Sequence, residues 1–462
     1  MTVPQERLDA FQSALRASFP DITLSTDAQT LAPYARDESD LGEFPAQLLV
    51  LAANTAQVSR VLELATQLYV PVTPVGARSG KSGGSLPLEG GVVLSLEKMN
   101  RIVEVNADDL LMVVQPGVLT AQVDEAAAAL GLFYPPDPNS AGYCTMGGNV
   151  AENAGGPRAL KYGVTRDYVI GLEWVLPTGQ VVRLGRRTGK GVAGYDLVAL
   201  FVGSEGTLGV ATEITVKLIP RPRVVKTALI PFRTVSDAAR ALSSVLTSGL
   251  WPRTLELLDE VALQAIAGRG LPVPPDAGAV IIAELDGNHE PGVLSELSML
   301  VDQCASWGSL EAVVAQDESQ RERLWAVRKE VSPALRALTG KKISEDIVVP
   351  RSKVPEAIER FKAAGARAGL TVATYGHAGD GNLHSNVLYS TRADWPRVEA
   401  VLQEMMAITV ELGGTITGEH GIGLAKKRFL PLEQPLALRE LQFKLKVFFD
   451  PSVCLNPGKI WE

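Results

Sequence analysis

The amino-acid sequence predicts an α+β protein with two domains and a C-terminal segment. Its 462 residues exceed what a single hydrophobic core usually supports. Strand-like and helix-like segments alternate up to Pro220-Arg-Pro222 and then begin afresh. Because prolines interrupt both kinds of element, this pair marks the domain boundary. We therefore expect domains at 1–222 and 223–420, and a segment at 421–462 that packs back on the first domain.

The expected first domain contains more strands than helices. A helix over 55–69 would have Thr55 as its N-cap, and a strand-like Tyr69–Val72 follows it. An apolar strand follows the first glycine-rich loop, and further on an alanine-rich helix is closed by Gly131. In chain order the remaining candidates are Val92–Leu96, Leu110–Gln115, the helix opened by Thr120, Leu172–Leu176, Val181–Leu184 and Ala211–Leu218.

The expected second domain alternates strands with longer helices. Apolar residues recur at helical spacing over 394–412, and Gly413 ends that helix. The preceding candidates are a strand at Lys226–Pro231, a helix at 235–248, a strand at Ala279–Leu285 and a helix at 290–306.

Composition and charge indicate an ordinary soluble protein. The net charge of −8 gives no general attraction to nucleic acid or anionic membranes, and the basic stretch Arg183–Lys190 is typical of a solvated loop. No run reaches the roughly 18 apolar residues of a spanning helix, and the polar, charged start is unlike a signal peptide. We therefore expect a cytoplasmic protein.

The three cysteines do not form a recognisable site. Cys144, Cys304 and Cys454 are far apart, odd in number and without a CxxC pair. This pattern argues against a disulfide framework, an iron–sulfur cluster or a thiolate zinc site.

Three glycine-rich loops indicate a nucleotide cofactor. They span Gly76–Ser85, Pro138–Gly156 and Gly203–Gly209. Backbone amides without side chains, together with serine hydroxyls, suit a pyrophosphate. The spacing matches neither the dinucleotide fingerprint nor a Walker loop, and a structural turn explains any one loop equally well. Three such loops in one region favour a single extended ligand.

Three of the four histidines fall in two other glycine-rich stretches. His377 and His384 are seven residues apart, which on one strand would place them on opposite faces. They can share a metal ion only if Gly379-Asp-Gly-Asn382 turns the chain, and Asp-Gly is a strong turn signal. Glu419 offers the oxygen that a His₂Glu site needs. His420 directly follows it, either as a general base or as a hydrogen-bonded turn histidine.

The motifs GGNVAENAGG, KYG, GSEGTLG, GHAGDGNLH, GEHGIG and LNPGK follow one another along the chain. In this order the chain resembles the FAD-linked D-2-hydroxyacid dehydrogenases of vanillyl-alcohol-oxidase type, over about residues 30–460. That group includes the glycolate oxidase flavin subunit, cytochrome-type D-lactate dehydrogenase and D-2-hydroxyglutarate dehydrogenase. The resemblance implies a two-lobed FAD-binding domain and an α+β substrate-binding (cap) domain with an antiparallel sheet.

The resemblance also implies where FAD binds. No histidine lies near the first loop, so the histidine tether of some relatives is excluded and non-covalent FAD is expected. Cys144 is either an inert core thiol or a sulfur attachment point, and Lys81 departs from the apolar residue that many members carry. The implied cofactor-binding residues are Gly76, Ala77, Arg78, Ser79, Gly80, Lys81, Ser82, Gly83, Gly84, Ser85, Pro138, Asn139, Ser140, Gly142, Thr145, Gly147, Gly148, Asn149, Ala151, Asn153, Gly155, Glu205, Gly206, Val210 and Asn456.

For the reaction, the resemblance points to a divalent ion, Zn²⁺ or a similar ion such as Mn²⁺, on His377, His384 and Glu419. His420 would be the base. Arg328 would grip the substrate carboxylate, unless it forms a surface ion pair, and Arg78 is a second candidate. Asn386 would support or contact substrate.

The implied activity is oxidation of a D-2-hydroxy acid of the glycolate, D-lactate or D-2-hydroxyglutarate class to the 2-oxo acid. The electrons would pass to a protein or quinone-linked acceptor, since the chain has no iron–sulfur or nicotinamide motif of its own. A homodimer is compatible with the sequence. Two alternatives remain open, a metal-dependent hydrolase and a non-catalytic flavin subunit of an oxidoreductase complex.

Overall fold

A computed structural model describes residues 3–461 and divides them into two compact units. The first unit contains 3–155, 163–221 and 419–461, and the second contains 156–162 and 222–418. The second unit ends at Gly418, two residues before the expected boundary at 420. Residues 156–162 lie in the second unit, although they were expected in the first. The first unit is therefore discontinuous in sequence.

Short strands and helices make up the chain as far as the proline pair. In order they are α1 (Gln5–Ser18), β1 (Thr23–Ser25), α2 (Ala28–Leu31), β2 (Leu48–Leu51), α3 (Thr55–Leu68), β3 (Val72–Val75), β4 (Val92–Ser95), β5 (Ile102–Asn106), β6 (Leu111–Val114), α4 (Thr120–Ala128), β7 (Leu132–Phe133), α5 (Met146–Glu152), α6 (Ala159–Tyr162), α7 (Thr165–Tyr168), β8 (Val169–Val175), β9 (Val181–Gly185), α8 (Leu197–Phe201), β10 (Val210–Lys217) and β11 (Ile219–Pro220).

Longer elements follow. They are β12 (Val224–Phe232), α9 (Val235–Thr247), β13 (Thr254–Leu258), α10 (Glu260–Ile266), β14 (Ala279–Gly287), α11 (Glu290–Ala305), β15 (Val313–Val314), α12 (Glu318–Lys329), α13 (Val331–Thr339), β16 (Lys341–Val348), α14 (Val354–Arg367), β17 (Thr371–Gly376), β18 (Asn382–Tyr389), α15 (Trp395–Glu411), α16 (Leu430–Glu433) and α17 (Leu436–Phe449).

The first unit has two principal sheets. In the sheet β1-β2-β4-β3, β4 pairs in parallel with both neighbours, whereas β1 is antiparallel to β2. The antiparallel sheet β5-β6-β10-β8-β9 is the other, and β7 and β11 form a small ribbon. Phe11 of α1 and Val61 of α3 pack with Val50 and Leu94 in one apolar core, which explains the apolar spacing of α3.

Residues 454–456 extend the edge of the first sheet. The Val72 amide donates to the Cys454 carbonyl at 2.8 Å, and the Asn456 amide donates to the Val72 carbonyl at 2.7 Å. Lys446 of α17 is buried and donates to the Thr207 carbonyl, the Asp450 carboxylate and the Leu455 carbonyl. The C-terminal residues of the described chain are therefore an integral part of the first unit.

The second unit is built on one antiparallel sheet of seven strands, ordered β15-β12-β14-β13-β17-β18-β16. The segment 156–162 is held to it by Asp286 of β14. That carboxylate accepts a bond from the Tyr162 hydroxyl at 2.8 Å and also pairs with Lys161. Because Asp286 is far from 156–162 in the sequence, no local sequence pattern predicts this contact.

Two local expectations are wrong. Asn54, not Thr55, caps α3, because the Asn54 carboxamide oxygen accepts the Gln57 amide at 3.0 Å. The backbone of Tyr69 adopts the left-handed conformation (φ 52°) and ends that helix. The following strand therefore begins at Val72 and not at Tyr69. Among residues 3–461, no helix combines the length and the apolar character needed to cross a bilayer.

Candidate active site

A tight hairpin brings His377 and His384 together. His377 directly follows β17, and His384 lies in β18 opposite Tyr375. The chain reverses between them, with the Asn382 amide donating to the His377 carbonyl at 3.2 Å. Both histidines are buried, and their ring centroids are 5.2 Å apart. The Asp-Gly turn anticipated from the sequence thus places both rings on the same side of the hairpin.

Gly381 makes this turn possible. Its φ is +91°, and a β-carbon there would lie 2.1 Å from the Val349 carbonyl oxygen. No other residue type fits both constraints without moving the backbone.

A buried glutamate that the sequence analysis missed orients His377. Glu256 of β13 pairs with His377 Nδ1, and the Glu256 side chain is fully buried. A histidine held through Nδ1 by a carboxylate presents Nε2 to a metal ion, and the carboxylate fixes its tautomer. The available signal was a single acidic residue inside the apolar strand 254–258.

The same carboxylate holds Arg328. Arg328 Nε donates to Glu256 Oε2 at 2.6 Å, and the arginine is only 6% exposed, so it forms no surface ion pair. Burial alone would raise the pKa of Glu256, but its interactions with His377 and Arg328 lower it to about 2. Arg328 Nη2 is buried and finds no hydrogen-bond partner within residues 3–461. A buried donor of this kind suits a carboxylate ligand.

Glu419 adds a third ligand atom. It follows Gly418, whose amide donates to Asp346 Oδ2 at 2.9 Å. The ligand atoms offered by His377, His384 and Glu419 all lie within 4.8 Å of one another. Two imidazoles and one carboxylate form a donor set that suits Zn²⁺ or a similar divalent ion.

Asn386 supports the site from within the sheet. It is fully buried, its Oδ1 accepts from Lys342 Nζ at 2.8 Å, and its Nδ2 donates to the His384 carbonyl at 2.9 Å. Lys342 and Arg328 also lie near the Tyr375 ring. Burial would raise the pKa of Tyr375, but these two cations lower it below its usual range. Both the oxygen and the nitrogen of the Asn386 carboxamide are therefore engaged within the sheet.

His420 and Arg78 belong to the first unit. His420 is half-buried between Glu419 and Gly421 in the chain. The Arg78 guanidinium lies 4.4 Å from the centre of the Tyr34 ring, so its position is set by that contact.

The first glycine loop leaves a continuous run of donors for a ligand. The amides of 77–83 donate no hydrogen bond to any other part of the described chain, although the loop is mostly half-buried or buried. Arg78 has φ +58° and Gly83 has φ +78°. Such a run of amides forms an anion-binding concavity, so the loop fits a pyrophosphate. Lys81 is exposed and lies 3.7 Å from Glu38, which places its charge at the rim.

The second loop packs directly on the first. A β-carbon at Gly76 would lie 2.4 Å from Thr145 Oγ1, and Thr145 also caps α5 through the Gly148 amide. The Cys144 thiol is buried 3.1 Å from the Thr120 hydroxyl. The remaining residues expected here are in and around α5, with Asn139 and Gly142 exposed, Pro138, Ser140, Gly147 and Ala151 half-buried, and Asn149 and Gly155 buried.

Polar residues expected to line the cofactor channel also join the loops. Glu205 (φ +53°) accepts the amides of Ile422 at 2.9 Å and Gly423 at 2.6 Å. Asn456 donates to the carbonyls of Gly84 and Glu205, both at 2.9 Å. These side chains hold the first and third loops in place. Asn153, also expected to bind the cofactor, caps the C-terminus of α5 with a left-handed backbone conformation. Val210, another member of the expected set, is the first residue of β10.

Comparisons with known proteins show the family to which the chain belongs. Residues 221–460 match the family of FAD linked oxidases, C-terminal domain, and 46–185 match an FAD binding domain. The chain is 39% identical to the glycolate oxidase subunit GlcD of Bacillus subtilis, covering 98% of this chain and 97% of that protein. It is 37% identical to the D-lactate dehydrogenase of Anaerostipes hadrus, covering 92% of each.

Solved structures show the same fold. p-Cresol methylhydroxylase has a TM-score of 0.81 at 19% identity, covering 99% of this chain and 97% of its own. 4-Ethylphenol oxidase from Gulosibacter chungangensis has a TM-score of 0.79 at 19% identity, covering 99% and 98%. At this identity the likeness describes the fold alone.

Proposed function

Because the chain belongs to the FAD-linked oxidase family, with FAD as cofactor and a vanillyl-alcohol-oxidase-type α+β fold, we propose that it oxidises a D-2-hydroxy acid with the help of a divalent metal ion. The observation that carries this proposal is the shared Glu256 carboxylate. It orients His377, a metal ligand, and Arg328, a carboxylate-binding group, at the same time.

In this proposal, His377, His384 and Glu419 hold the ion, Zn²⁺ or a similar one such as Mn²⁺. A bound ion would supply a Lewis acid for the substrate hydroxyl, and bound FAD would supply the two-electron acceptor for the C2 hydride. Arg328 pairs with the substrate carboxylate through its buried Nη2. His420 accepts the hydroxyl proton, so that the substrate becomes the 2-oxo acid.

Relatives support the substrate class. Proteins named glycolate oxidase subunit and D-lactate dehydrogenase match nearly the full length of the chain. Both names imply small 2-hydroxy acids, and the name of the first describes a subunit. We extend the proposal to an external electron acceptor, either a partner protein or a quinone-linked complex.

The two alternatives are less well supported. A metal-dependent hydrolase would have no use for an FAD-binding domain. A non-catalytic flavin subunit would have no need for a buried Glu256–Arg328 pair beside two histidines.

A substrate panel tests the proposal. Purified holoenzyme is mixed anaerobically with D- and L-forms of lactate and 2-hydroxyglutarate and with glycolate, and the bleaching of the flavin is followed. We expect reduction by D-enantiomers or glycolate, and turnover with an artificial acceptor. A flavin that stays oxidised with every hydroxy acid, in verified metal-loaded protein, contradicts the proposal.

A further inference from the structure

Glu152, at the end of α5, has a buried carboxyl oxygen that the proposed reaction does not use. Oε1 accepts a bond from the Ser82 hydroxyl at 3.1 Å. Oε2 is buried and has no hydrogen-bond partner among the described residues, although the residue as a whole is only half-buried. A buried carboxylate oxygen without a donor is costly, which favours the neutral acid.

A second buried carboxyl group lies beside it. A β-carbon at Gly421 would lie 2.2 Å from Glu152 Oε2 and 3.2 Å from Glu205 Oε1, so both groups approach the same point. Glu205 accepts the Ile422 and Gly423 amides, which are bonds that an ionised carboxylate makes best. Two buried carboxyl groups this close hold one proton between them rather than two negative charges.

The surroundings place that proton on Glu152. Burial raises the pKa of Glu152 well above its usual range, and the charges of Glu205 and Asp37 raise it further, against the Ser82 hydrogen bond. Burial raises the pKa of Glu205 as well, but two backbone amides and the cations Lys459 and Lys426 oppose that rise. We therefore assign the negative charge to Glu205.

Glu152 also lies against the first glycine loop. A β-carbon at Gly84 would lie 2.9 Å from Glu152 Oε1, and one at Gly80 would lie 3.8 Å from it. This is the loop whose amides at 77–83 are available to an anion. An ionised Glu152 would repel a pyrophosphate bound there, whereas the neutral acid would not.

We propose that Glu152 is a proton-dependent positioning residue for FAD: the neutral acid supports the first glycine loop, and loss of its proton weakens cofactor binding. The inference rests on the proposed assignment of that loop to the FAD pyrophosphate.

Release of FAD from diluted holoenzyme tests the proposal, with the fluorescence of free FAD recorded across the pH range in which the holoenzyme stays folded. Above the pH at which Glu152 ionises, the wild-type Kd should rise up to about tenfold per pH unit. Glu152→Gln, which stays neutral, should remove this rise. Glu205→Gln, which removes the neighbouring charge, should move the rise to lower pH.

An infrared measurement provides a second readout. Near neutral pH the holoenzyme should show the carbonyl band of a buried protonated carboxyl group. Glu152→Gln should lose the band, and the matched control Glu284→Gln, at a buried glutamate whose pKa is lowered, should keep it.

The proposal is overturned by a wild-type Kd that stays flat over this range, by an unchanged slope in Glu152→Gln, or by a band that survives in that variant. If Glu152→Gln does not fold, the direction of the Glu205→Gln shift and the wild-type band decide the question. None of these readouts needs a substrate, so they are independent of the hydroxy-acid assignment.

Discussion

Arg328 and Glu256 form an ion pair that is almost completely buried, with Nε 2.6 Å from Oε2 and exposures of 7% and 0% for the two side chains. The other carboxylate oxygen of Glu256 pairs with His377. One side chain therefore controls the orientation of the proposed metal ligand His377 and that of the arginine expected to bind substrate.

Glu256→Gln should weaken metal binding. A carboxylate behind a metal-bound histidine typically contributes about 10- to 100-fold in affinity. The change should leave FAD bound, because the glycine loops belong to the other unit. Metal titration followed by metal analysis measures the effect. Glu284→Gln is the matched control, since Glu284 is also buried and paired with an arginine, Arg321. Equal metal affinity in both variants would contradict the role of Glu256.

Arg328→Lys should raise KM for the hydroxy acid by about 10- to 100-fold, the range expected for one charged hydrogen bond. Lysine keeps the charge but lacks the second donor that Nη2 provides. Arg321→Lys, on the same helix, is the control and should leave KM unchanged, because Arg321 pairs with Glu284 and Glu318 instead. Steady-state kinetics with an artificial acceptor separate the two. The assignment fails if both variants change KM alike.

Removal of the metal should abolish turnover while the protein stays yellow. None of the proposed ligands His377, His384 and Glu419 is a residue of the glycine loops, so the metal ion can leave while those loops still hold FAD. Absorbance and metal analysis after chelation check this, and Zn²⁺ or Mn²⁺ should restore activity. Full activity in protein verified to be metal-free would refute the metal's role.

His420→Asn should slow flavin reduction by at least about 10²-fold, the low end for a positioned base. The variant should keep both flavin and metal, whereas Glu419→Gln should lose metal and activity together. Stopped-flow reduction and metal analysis distinguish these outcomes. If the metal disappears from His420→Asn instead, His420 is a ligand and the two neighbouring roles must be exchanged.

Acid denaturation should release all the flavin into the supernatant. No histidine lies within the first loop or next to it in the sequence, and the Cys144 thiol is engaged with the Thr120 hydroxyl. Cys144→Ser should therefore bind FAD like the parent. Flavin that precipitates with the parent but not with Cys144→Ser would establish a thioether bond instead.

The sequence predicted the fold class and FAD correctly, because both depend on motifs that are contiguous in the chain. The His377–His384 hairpin could also be predicted, because the Asp380-Gly381 pair is a local turn signal. The presence of a metal ion and the identity of the residues that bind it stay predictions.

Contacts between residues far apart in the chain could not be predicted from the sequence. Glu256 is 121 residues from its partner His377, and its strand otherwise reads as core. The attachment of 156–162 to the second unit depends on Asp286, more than a hundred residues away. Glu205 was expected to line the cofactor channel, and that expectation stays a prediction. That its carboxylate accepts the amides of 422–423 is a long-range contact that only the folded chain reveals.

The pairing of Val72 with residues 454–456 has a consequence for biosynthesis. The ribosome makes β3 early, but its edge partner emerges only after the whole second unit has been translated. Domains generally fold as their residues emerge. The second unit can therefore fold first on the ribosome, while the first unit completes the edge of its sheet only after residues 454–456 have been made.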